Sequence, residues 1–256
     1  MKTRIDKLLV ERGLAPTRER AQAMILAGRV LVNEQKVEKA GTAVQEEVSI
    51  RLLGEDLPYV SRGGLKLARA LEHWRLDCRG KTALDIGSST GGFTDCFLQH
   101  GAARVVAVDT GYGQMDVRLR ADPRLRLLER TNARYLESSH LPEDVDVIAM
   151  DVSFISATLV LPAVLGAVRE GKPHHRRDLV VLVKPQFEVG REQVGKGGIV
   201  RDPEAHVRAV EKVQGTVAEL GGDAIEVIDS PILGTEGNKE FLLHAVFDGG
   251  QGNGTE

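Results

Sequence analysis

The spacing of hydrophobic positions in the first 51 residues predicts two helices followed by short strands. In "RIDKLLVERG", Ile5, Leu8 and Leu9 recur at helical spacing. A second helix is predicted in "PTRERAQAMILAG", where Thr17 can cap the N-terminus and Gly28 ends the element. Alternation in "RVLVNEQKV" indicates a hairpin, and "EVSIRLL" adds a strand. The segment is therefore predicted to be a small α+β module.

From residue 82 onward, strand-like and helix-like patterns alternate. The predicted strands are TALDIG, RVVAVDTG, VDVIAMDVS, DLVVLVKP, AIEVIDSPI and KEFLLHAVF. Helices are predicted between them, the last one with Asp202 as its cap and Pro203 at its first position. This alternation predicts an α/β domain with a mostly parallel sheet covered on both faces. No helix separates the last two strands, which predicts an antiparallel hairpin at the edge.

Composition is typical of a globular protein with one large and one small domain. The chain has 256 residues, 42% of them hydrophobic and 28% charged. No apolar run reaches the roughly 18 residues of a membrane helix, and the N-terminus lacks the apolar core of a secretory signal. Cys78 and Cys96 lack a metal-binding spacing, so we expect core packing, no metal site and a reducing, cytoplasmic setting.

Charge and composition also divide the chain. Residues 2–51 carry ten Lys and Arg against seven Asp and Glu, whereas the whole chain has a net charge of −3. The first block is therefore the candidate for contacting a polyanion. Residues 52–60 contain Gly and Pro and are predicted to be a linker. The predicted domains are thus 1–51 and 61–247, with residues 248–256 as a disordered tail.

Charged residues end four of the predicted strands: Asp85, Asp109, Asp151 and Lys184. Ligands of open α/β sheets bind outside the carboxyl ends of the strands, so this group predicts a site. Taken alone, Lys184 would also fit a lysine that snorkels from a strand end. The basic loop 169–178 leads into the opposite end of a strand and is expected to be mostly surface.

The segment "LDIGSSTGGFT" is a glycine-rich turn from strand to helix, of the kind found in dinucleotide enzymes and in S-adenosylmethionine enzymes. Asp109 can accept hydrogen bonds from two ribose hydroxyls. Asp85 would repel a pyrophosphate but suits a cationic amine, which favours S-adenosylmethionine. Asn132 is either a contact to the adenine edge or a helix cap. The predicted cofactor-binding residues are Asp85, Gly87, Ser88, Ser89, Thr90, Gly91, Gly92, Phe93, Asp109 and Asn132.

The first block resembles the S4 RNA-binding module of ribosomal protein S4 and pseudouridine synthases. The resemblance is carried by Arg4, Asp6, Leu8, Leu9, Arg18, Ala21, Ile25, Gly28, Val30, Val32 and Asn33. It implies phosphate contacts that position RNA without reading its bases. The candidates are Arg4, Lys7, Arg18, Arg20, Arg29 and Lys36, although any one of them alone could be a solvated surface charge.

Four residues in the large block, Lys66, Asp151, Lys184 and Glu240, resemble the K-D-K-E tetrad of RrmJ/FtsJ-type RNA 2′-O-methyltransferases. With the S4-like block, residues 2–247 resemble the TlyA (hemolysin A) family. This implies a Rossmann-like class I methyltransferase domain with a mostly parallel seven-stranded sheet whose last strand is antiparallel. It also implies S-adenosylmethionine-dependent 2′-O-methylation of cytidine in 23S or 16S rRNA, or both. The expected partner is rRNA or a ribosomal subunit, with no membrane.

The tetrad suits removal of a proton from a ribose hydroxyl. A lysine can act as a base only when it is neutral, and burial or a second cation favours that form. We interpret Lys184 as the base, Asp151 and Lys66 as groups that position the hydroxyl or stabilise charge, and Glu240 as their outer partner. The Gly-rich loop 190–202 is a predicted lid. Lys196 within that loop, and Arg62, are further candidate RNA contacts.

Three other functions compete with this interpretation. A non-catalytic rRNA-binding or ribosome-assembly factor is disfavoured by the intact tetrad. A dehydrogenase is disfavoured by the "DIG" start of the turn and by the lack of a hydride-site pattern. A pore-forming hemolysin is suggested only by the name of the family, and no signal or long apolar segment supports it.

Overall fold

The computed structural model describes residues 2–53, 57–141, 144–171, 175–234 and 237–248. The chain divides into two compact units, residues 1–57 and 58–256. Residues 54–56 of the predicted linker, and residues 249–256 of the predicted tail, lie outside the described residues. Leu52 ends a strand of the first unit, and Tyr59 and Val60 pack against the core of the second.

The first unit contains the predicted pair of helices and a set of short strands. Its elements are β1 (Lys2–Arg4), α1 (Ile5–Glu11), α2 (Arg18–Leu26), β2 (Val30–Val32), β3 (Gln35–Lys36), β4 (Ala43–Gln45) and β5 (Ile50–Leu52). The sequence pattern did not indicate β1 and β4, which pair with each other. Asn33 and Glu34 connect β2 and β3 with φ of 49° and 64°, as a two-residue hairpin turn requires. β2 pairs on its other side with β5.

Burial of one apolar face of each helix stabilises this unit. Ile5 and Leu9 of α1 and Ile25 of α2 are fully buried in a common cluster. The side chain of Thr17 accepts a hydrogen bond from the backbone N–H of Arg20 at 3.2 Å and so caps α2 as predicted. Most of the basic side chains of this unit are exposed.

The second unit alternates strands and helices. Its elements are α3 (Gly63–His73), β6 (Thr82–Ile86), α4 (Gly92–Gln99), β7 (Arg104–Val108), α5 (Val117–Arg120), β8 (Leu125–Leu128), β9 (Val147–Met150), α6 (Leu161–Gly171), β10 (Arg177–Val183), α7 (Pro185–Glu188), α8 (Pro203–Glu219), β11 (Asp223–Asp229) and β12 (Phe241–Phe247). The hydrophobic pattern did not indicate β8, whose residues are all half-buried at the edge of the sheet.

The seven strands of this unit form one sheet in the order β11-β12-β10-β9-β6-β7-β8. β12 is antiparallel to both of its neighbours, and the other pairs are parallel. This confirms the predicted fold class, a mostly parallel seven-stranded sheet with an antiparallel last strand. β11 is the edge strand and pairs antiparallel with β12, which confirms the predicted antiparallel hairpin at the edge of the sheet.

Side chains of each central strand alternate between two hydrophobic clusters, one on each face. In β6, Leu84 and Ile86 pack into one cluster and Ala83 into the other. Cys78 and Cys96 are free thiols buried in the second cluster. A sheet covered on both faces is rigid, and it brings the carboxyl ends of β6, β7, β9 and β10 to one edge.

Candidate active site

Two buried lysine–carboxylate pairs lie in the second unit. Lys184, directly after β10, places Nζ 2.5 Å from Oδ1 of Asp151, which follows β9. Lys66, on α3, places Nζ 2.5 Å from Oε2 of Glu240, directly before β12. Lys184 and Glu240 both line a cleft of about 490 Å³, here called the lysine cleft. The four residues of the predicted tetrad are thus arranged as two ion pairs.

Burial makes each charge in these pairs depend on its partner. The four side chains are between 3% and 20% exposed. Taking a lysine or carboxylate out of water costs several kcal/mol unless an opposite charge and hydrogen bonds compensate. Lys184 points inward, with only 9% of the residue exposed. This geometry excludes the alternative that Lys184 is a lysine snorkelling to the surface.

Ser153 is a third partner of this site that sequence reasoning missed. Nζ of Lys184 donates a hydrogen bond to Oγ of Ser153 at 2.7 Å. Nζ has three substituent positions besides its carbon, and Asp151 and Ser153 account for two of them. One position therefore stays available for a group in the cleft. The only signal in the sequence is that Ser153 follows Asp151 by two residues at a strand end.

A second cleft of about 320 Å³, here called the glycine cleft, adjoins the glycine-rich turn after β6. Ser153 and Phe154 line both clefts, which are therefore neighbours. Of the predicted cofactor residues, the cleft is lined by Gly87, Ser89, Asp109 and Asn132. Those that do not line it are Asp85, Ser88, Gly91, Gly92 and Phe93, which are buried, and Thr90, which is exposed.

The turn depends on glycine where it passes the end of β9. Gly87 has a φ of 84°, and a Cβ at this position would lie 2.4 Å from the carbonyl oxygen of Asp151. Any side chain would therefore push the turn away from the strand that carries Asp151. The turn that lines the glycine cleft therefore packs directly against the backbone of Asp151, the residue paired with Lys184.

Asp85 lies within β6, one residue before its end, and not at the strand end as expected from the sequence. It is fully buried. Oδ2 accepts a hydrogen bond from Oγ1 of Thr94 at 2.6 Å, whereas Oδ1 has no hydrogen-bond partner among the described residues. Burial raises the pKa of Asp85 to about 7. Oγ of Ser88 is also buried without a partner in the described structure. Two unsatisfied polar atoms beside this turn fit a ligand that offers hydrogen-bond donors.

Asp109 and Asn132 form part of the wall of the glycine cleft. The carboxylate of Asp109 accepts hydrogen bonds from the backbone N–H groups of Ser89 at 2.8 Å and Gly111 at 2.6 Å. Its remaining lone pairs can accept further donors, such as ribose hydroxyls. Asn132 accepts a hydrogen bond from the N–H of Arg134 at 3.0 Å and caps a short 3₁₀ turn. The capping alternative is therefore observed, and a contact with adenine stays a prediction.

In the first unit, a buried carboxylate orients two of the predicted RNA contacts. Asp6 is fully buried and accepts hydrogen bonds from Arg4, Arg18 and Gln22 at 2.9–3.0 Å. These bonds, above all those from Arg4, hold the pKa of Asp6 well below its usual range. The side chains of Arg4 and Arg18 stay 47% and 44% exposed, so both can still meet a phosphate.

The other predicted RNA contacts differ in exposure. Lys7, Lys36, Arg62 and Lys196 are exposed, whereas Arg20 and Arg29 are half-buried. Arg29 also donates a hydrogen bond from Nε to the carbonyl of Leu53 at 3.0 Å. Arg62 is the N-cap residue of α3, the helix that carries Lys66.

The predicted lid, residues 190–202, is anchored by Asn238. This side chain is 1% exposed, accepts a hydrogen bond from the N–H of Val200 at 2.9 Å and donates one to the carbonyl of Gly198 at 2.8 Å. Val194 and Gly198 of the same loop line the lysine cleft. The loop is therefore tied to the segment that carries Glu240.

Comparison with protein families assigns both units. The model described as "FtsJ-like methyltransferase" matches residues 59–247, and the S4 domain model matches residues 3–50. Among the described residues, no helix has the length and apolar character to span a membrane. The same residues contain no group of three or more His, Cys, Asp and Glu side chains placed to hold a metal ion.

Relatives are similar over nearly the full chain. A candidate rRNA methyltransferase of Bacillus subtilis, YqxC, is 46% identical over 100% of this chain and 89% of its own. The 16S/23S rRNA (cytidine-2′-O)-methyltransferase TlyA of Mycobacterium tuberculosis is 44% identical over 94% of this chain and 89% of its own. A solved structure of a candidate hemolysin from Streptococcus thermophilus superposes with a TM-score of 0.74 at 42% identity, covering 96% and 89% of the two chains.

Proposed function

The chain belongs to the FtsJ-like methyltransferases and, with its S4 domain, to the TlyA family, and we propose that it transfers a methyl group from S-adenosylmethionine to the 2′-hydroxyl of a cytidine in ribosomal RNA. The observation that carries the proposal is the position of Lys184. This lysine is buried, paired with Asp151 and Ser153, and lies where the lysine cleft meets the glycine cleft.

The residues of the glycine cleft fit this cofactor. Gly87 and Ser89 of the turn line the cleft, so backbone groups of the turn are available to a ligand there. Asp109 is suited to the ribose hydroxyls and Asn132 to the adenine edge. Asp85 does not line the cleft, but its oxygen without a partner lies beside the glycine-rich turn and is the candidate for the cationic amine. When bound, S-adenosylmethionine supplies a methyl group on a positively charged sulfur.

Lys184 is the proposed general base. Its neutral amine accepts the proton of the 2′-hydroxyl as the new O–C bond forms and the S–C bond breaks. Asp151, at 2.5 Å, stabilises the ammonium that results. The ammonium of Lys66, held by Glu240, stabilises negative charge that develops on the ribose oxygen.

The S4 unit would hold the RNA while the second unit acts on it. Arg4 and Arg18 are fixed on one face by Asp6, so less side-chain entropy is lost when they bind a phosphate. Contacts of this kind position the substrate without selecting its sequence. Choice of the target nucleotide then depends on contacts near the two clefts.

Transfer of radiolabelled methyl groups from S-adenosylmethionine tests the proposal directly. The substrates are deproteinised 16S and 23S rRNA and isolated ribosomal subunits, taken from cells that lack this activity. We expect incorporation that maps to a ribose 2′-oxygen of cytidine. A folded protein that binds the cofactor and the RNA but incorporates no label into any substrate would instead be a non-catalytic rRNA-binding factor.

Ser153→Ala is expected to lower kcat by about 10- to 100-fold, because a hydrogen bond to a charged group contributes roughly 1.5–3 kcal/mol. The KM for RNA and the affinity for S-adenosylmethionine should stay near wild type, since Ser153 acts through Lys184. Steady-state kinetics and calorimetric cofactor binding check both parts. Ser153→Thr, which keeps the hydroxyl, should recover most of the rate.

Ser139→Ala serves as the control for Ser153, because it removes an exposed hydroxyl that lines neither cleft. Equal kcat for Ser153→Ala and wild type would show that Lys184 needs no orienting partner other than Asp151. A drop in cofactor affinity without a change in kcat would assign Ser153 to the cofactor site.

Lys196→Ala is expected to weaken RNA binding and to reduce the slope of log K against log salt by about 1, as loss of one phosphate contact does. Filter binding at several salt concentrations measures the slope. Lys239→Ala is the matched control, because Lys239 lies in the same unit and its ammonium is paired with Asp229 at 3.0 Å. An unchanged slope for Lys196→Ala would assign this lysine to solvated surface charge.

A further inference from the structure

Two hydrogen-bonded loops form one wall of the glycine cleft. Loop 109–114 follows β7 and loop 129–135 follows β8. The N–H of Arg130 donates to the carbonyl of Gly111 at 3.0 Å, and the N–H of Thr131 donates to that of Asp109 at 2.9 Å. Residues of both loops line the cleft. The side chains that point away from it therefore form its outer rim.

This rim carries two exposed aromatic rings, each beside a guanidinium. Tyr112 and Tyr135 are 67% and 68% exposed. The Arg130 guanidinium lies 4.3 Å from the ring centroid of Tyr112, and that of Arg134 lies 5.9 Å from the centroid of Tyr135. Cation–π contacts of this kind hold ring and cation together at the surface. We call these four residues the tyrosine–arginine rim.

The arginines of the rim differ from their neighbours in charge compensation. Arg118, Arg120 and Arg124 lie in the same stretch of chain, and each contacts a carboxylate. Within the described residues, the guanidiniums of Arg130 and Arg134 form no ion pair with a carboxylate. Positive charge is therefore compensated at these three arginines and left available at the rim.

The backbone at the rim is strained as well. Arg130 has a φ of 53°, in the left-handed region that disfavours residues with a side chain. Such conformations persist where the surrounding structure enforces them, and they are concentrated at functional sites. Here the bond from Arg130 to Gly111 fixes the conformation and places the guanidinium over Tyr112.

We propose that the tyrosine–arginine rim binds the RNA strand that flanks the target nucleotide. Exposed rings offer stacking surfaces to bases, and uncompensated guanidiniums offer contacts to phosphates, a combination that single-stranded RNA matches. The rim borders the cleft proposed for the cofactor, so the strand whose hydroxyl is methylated must pass close to it. This inference rests on the proposed function and adds a second RNA contact, separate from the S4 unit.

Filter binding of the full-length protein to deproteinised 16S and 23S rRNA, over a range of salt concentrations, tests the rim. Tyr112→Ala should weaken binding by roughly five- to tenfold, at the lower end of what loss of one base–aromatic stack costs. Arg130→Ala should weaken binding and reduce the slope of log K against log salt by about 1. Tyr112→Phe keeps the ring and should bind like wild type.

Controls separate the rim from the cofactor site and from the proposed function. Arg118→Ala removes a guanidinium that is also exposed but is paired with Asp116, and should leave RNA affinity unchanged. The rim is not an RNA contact if the wild type methylates rRNA and both Tyr112→Ala and Arg130→Ala bind rRNA with the affinity of the wild type. If they lose affinity for S-adenosylhomocysteine instead of rRNA, the rim is a wall of the cofactor site. A wild-type protein that neither binds nor methylates rRNA would overturn the proposed function itself.

Discussion

Replacing Lys184 with alanine is expected to lower the rate of methyl transfer to rRNA by about 10²–10⁴-fold, the usual contribution of a general base. The proton of the ribose hydroxyl then lacks the amine that accepts it, and Asp151, left without its partner, is a much weaker base than a neutral amine. Binding of S-adenosylmethionine should persist, since Lys184 does not line the glycine cleft. Single-turnover kinetics and calorimetry measure the two quantities separately.

Arginine substitutions distinguish a base from a positive charge. Lys184→Arg keeps the charge and the pairing with Asp151, but a guanidinium does not give up its proton in a protein. This variant should therefore be as inactive as Lys184→Ala while it retains the wild-type Tm. Lys66→Arg should retain measurable activity, because Lys66 is proposed to act through its charge. An active Lys184→Arg together with an inactive Lys66→Arg would assign the base to Lys66 instead.

The fold of the second unit could be predicted because its strands are buried on both faces. β7, β9 and β10 contain apolar runs of four or five residues, β6 is apolar apart from Thr82 and Asp85, and each strand ends close to a charged or glycine-rich segment. Residues of β8 are only half-buried, so this edge strand lacks such a run and was missed. The hydrophobic pattern therefore identifies the central strands but does not distinguish the edge strand β8 from a loop.

The composition of the active site could be predicted only in part. The position of Lys184 follows from the strand that carries it, but its bond to Ser153 depends on a loop conformation that no pattern specifies. The pairing of Lys66 with Glu240 joins residues 174 positions apart, so only resemblance to a family suggested it. Which lysine contacts which carboxylate is decided by packing.

The burial of a charged side chain, Arg177, could not be predicted from the sequence. Arg177 belongs to the basic loop that the sequence analysis placed at the surface, yet it is 1% exposed. Its guanidinium donates hydrogen bonds to the carbonyls of His175 and Val168, at 2.6 Å and 2.9 Å. These acceptors are backbone carbonyls, so the amino-acid composition of the segment does not reveal that they compensate the buried charge. The loop was expected to be mostly surface because it leads into the amino end of a strand, and for Arg177 that expectation is wrong.

The buried Asp85 gives the protein a testable dependence on pH. Its pKa is about 7 in the folded protein because of burial, against 3.8 for an unperturbed carboxyl. The folded state therefore holds a proton that the unfolded state has lost, and stability falls as pH rises between these two values, by at most roughly 1.4 kcal/mol per pH unit. Asp85→Asn does not titrate. Without cofactor, the Tm of this variant should exceed that of wild type at pH 8, and the difference should shrink at pH 5.5.

The same substitution should weaken the binding of S-adenosylmethionine. An ionised Asp85 can pair with the cationic amine, whereas an amide lacks the charge, so affinity should fall by about 10- to 100-fold. In the wild type, binding below pH 7 must first remove the proton from Asp85, so affinity should fall by roughly tenfold per pH unit as pH drops further. Calorimetry at pH 6, 7 and 8 measures this dependence, which Asp85→Asn should lack. If the variant binds the cofactor as tightly as wild type at pH 8, Asp85 supports the fold of the turn and does not meet the amine. A stable variant with weak binding would show instead that the protein retains a destabilising carboxylate because the cofactor needs it.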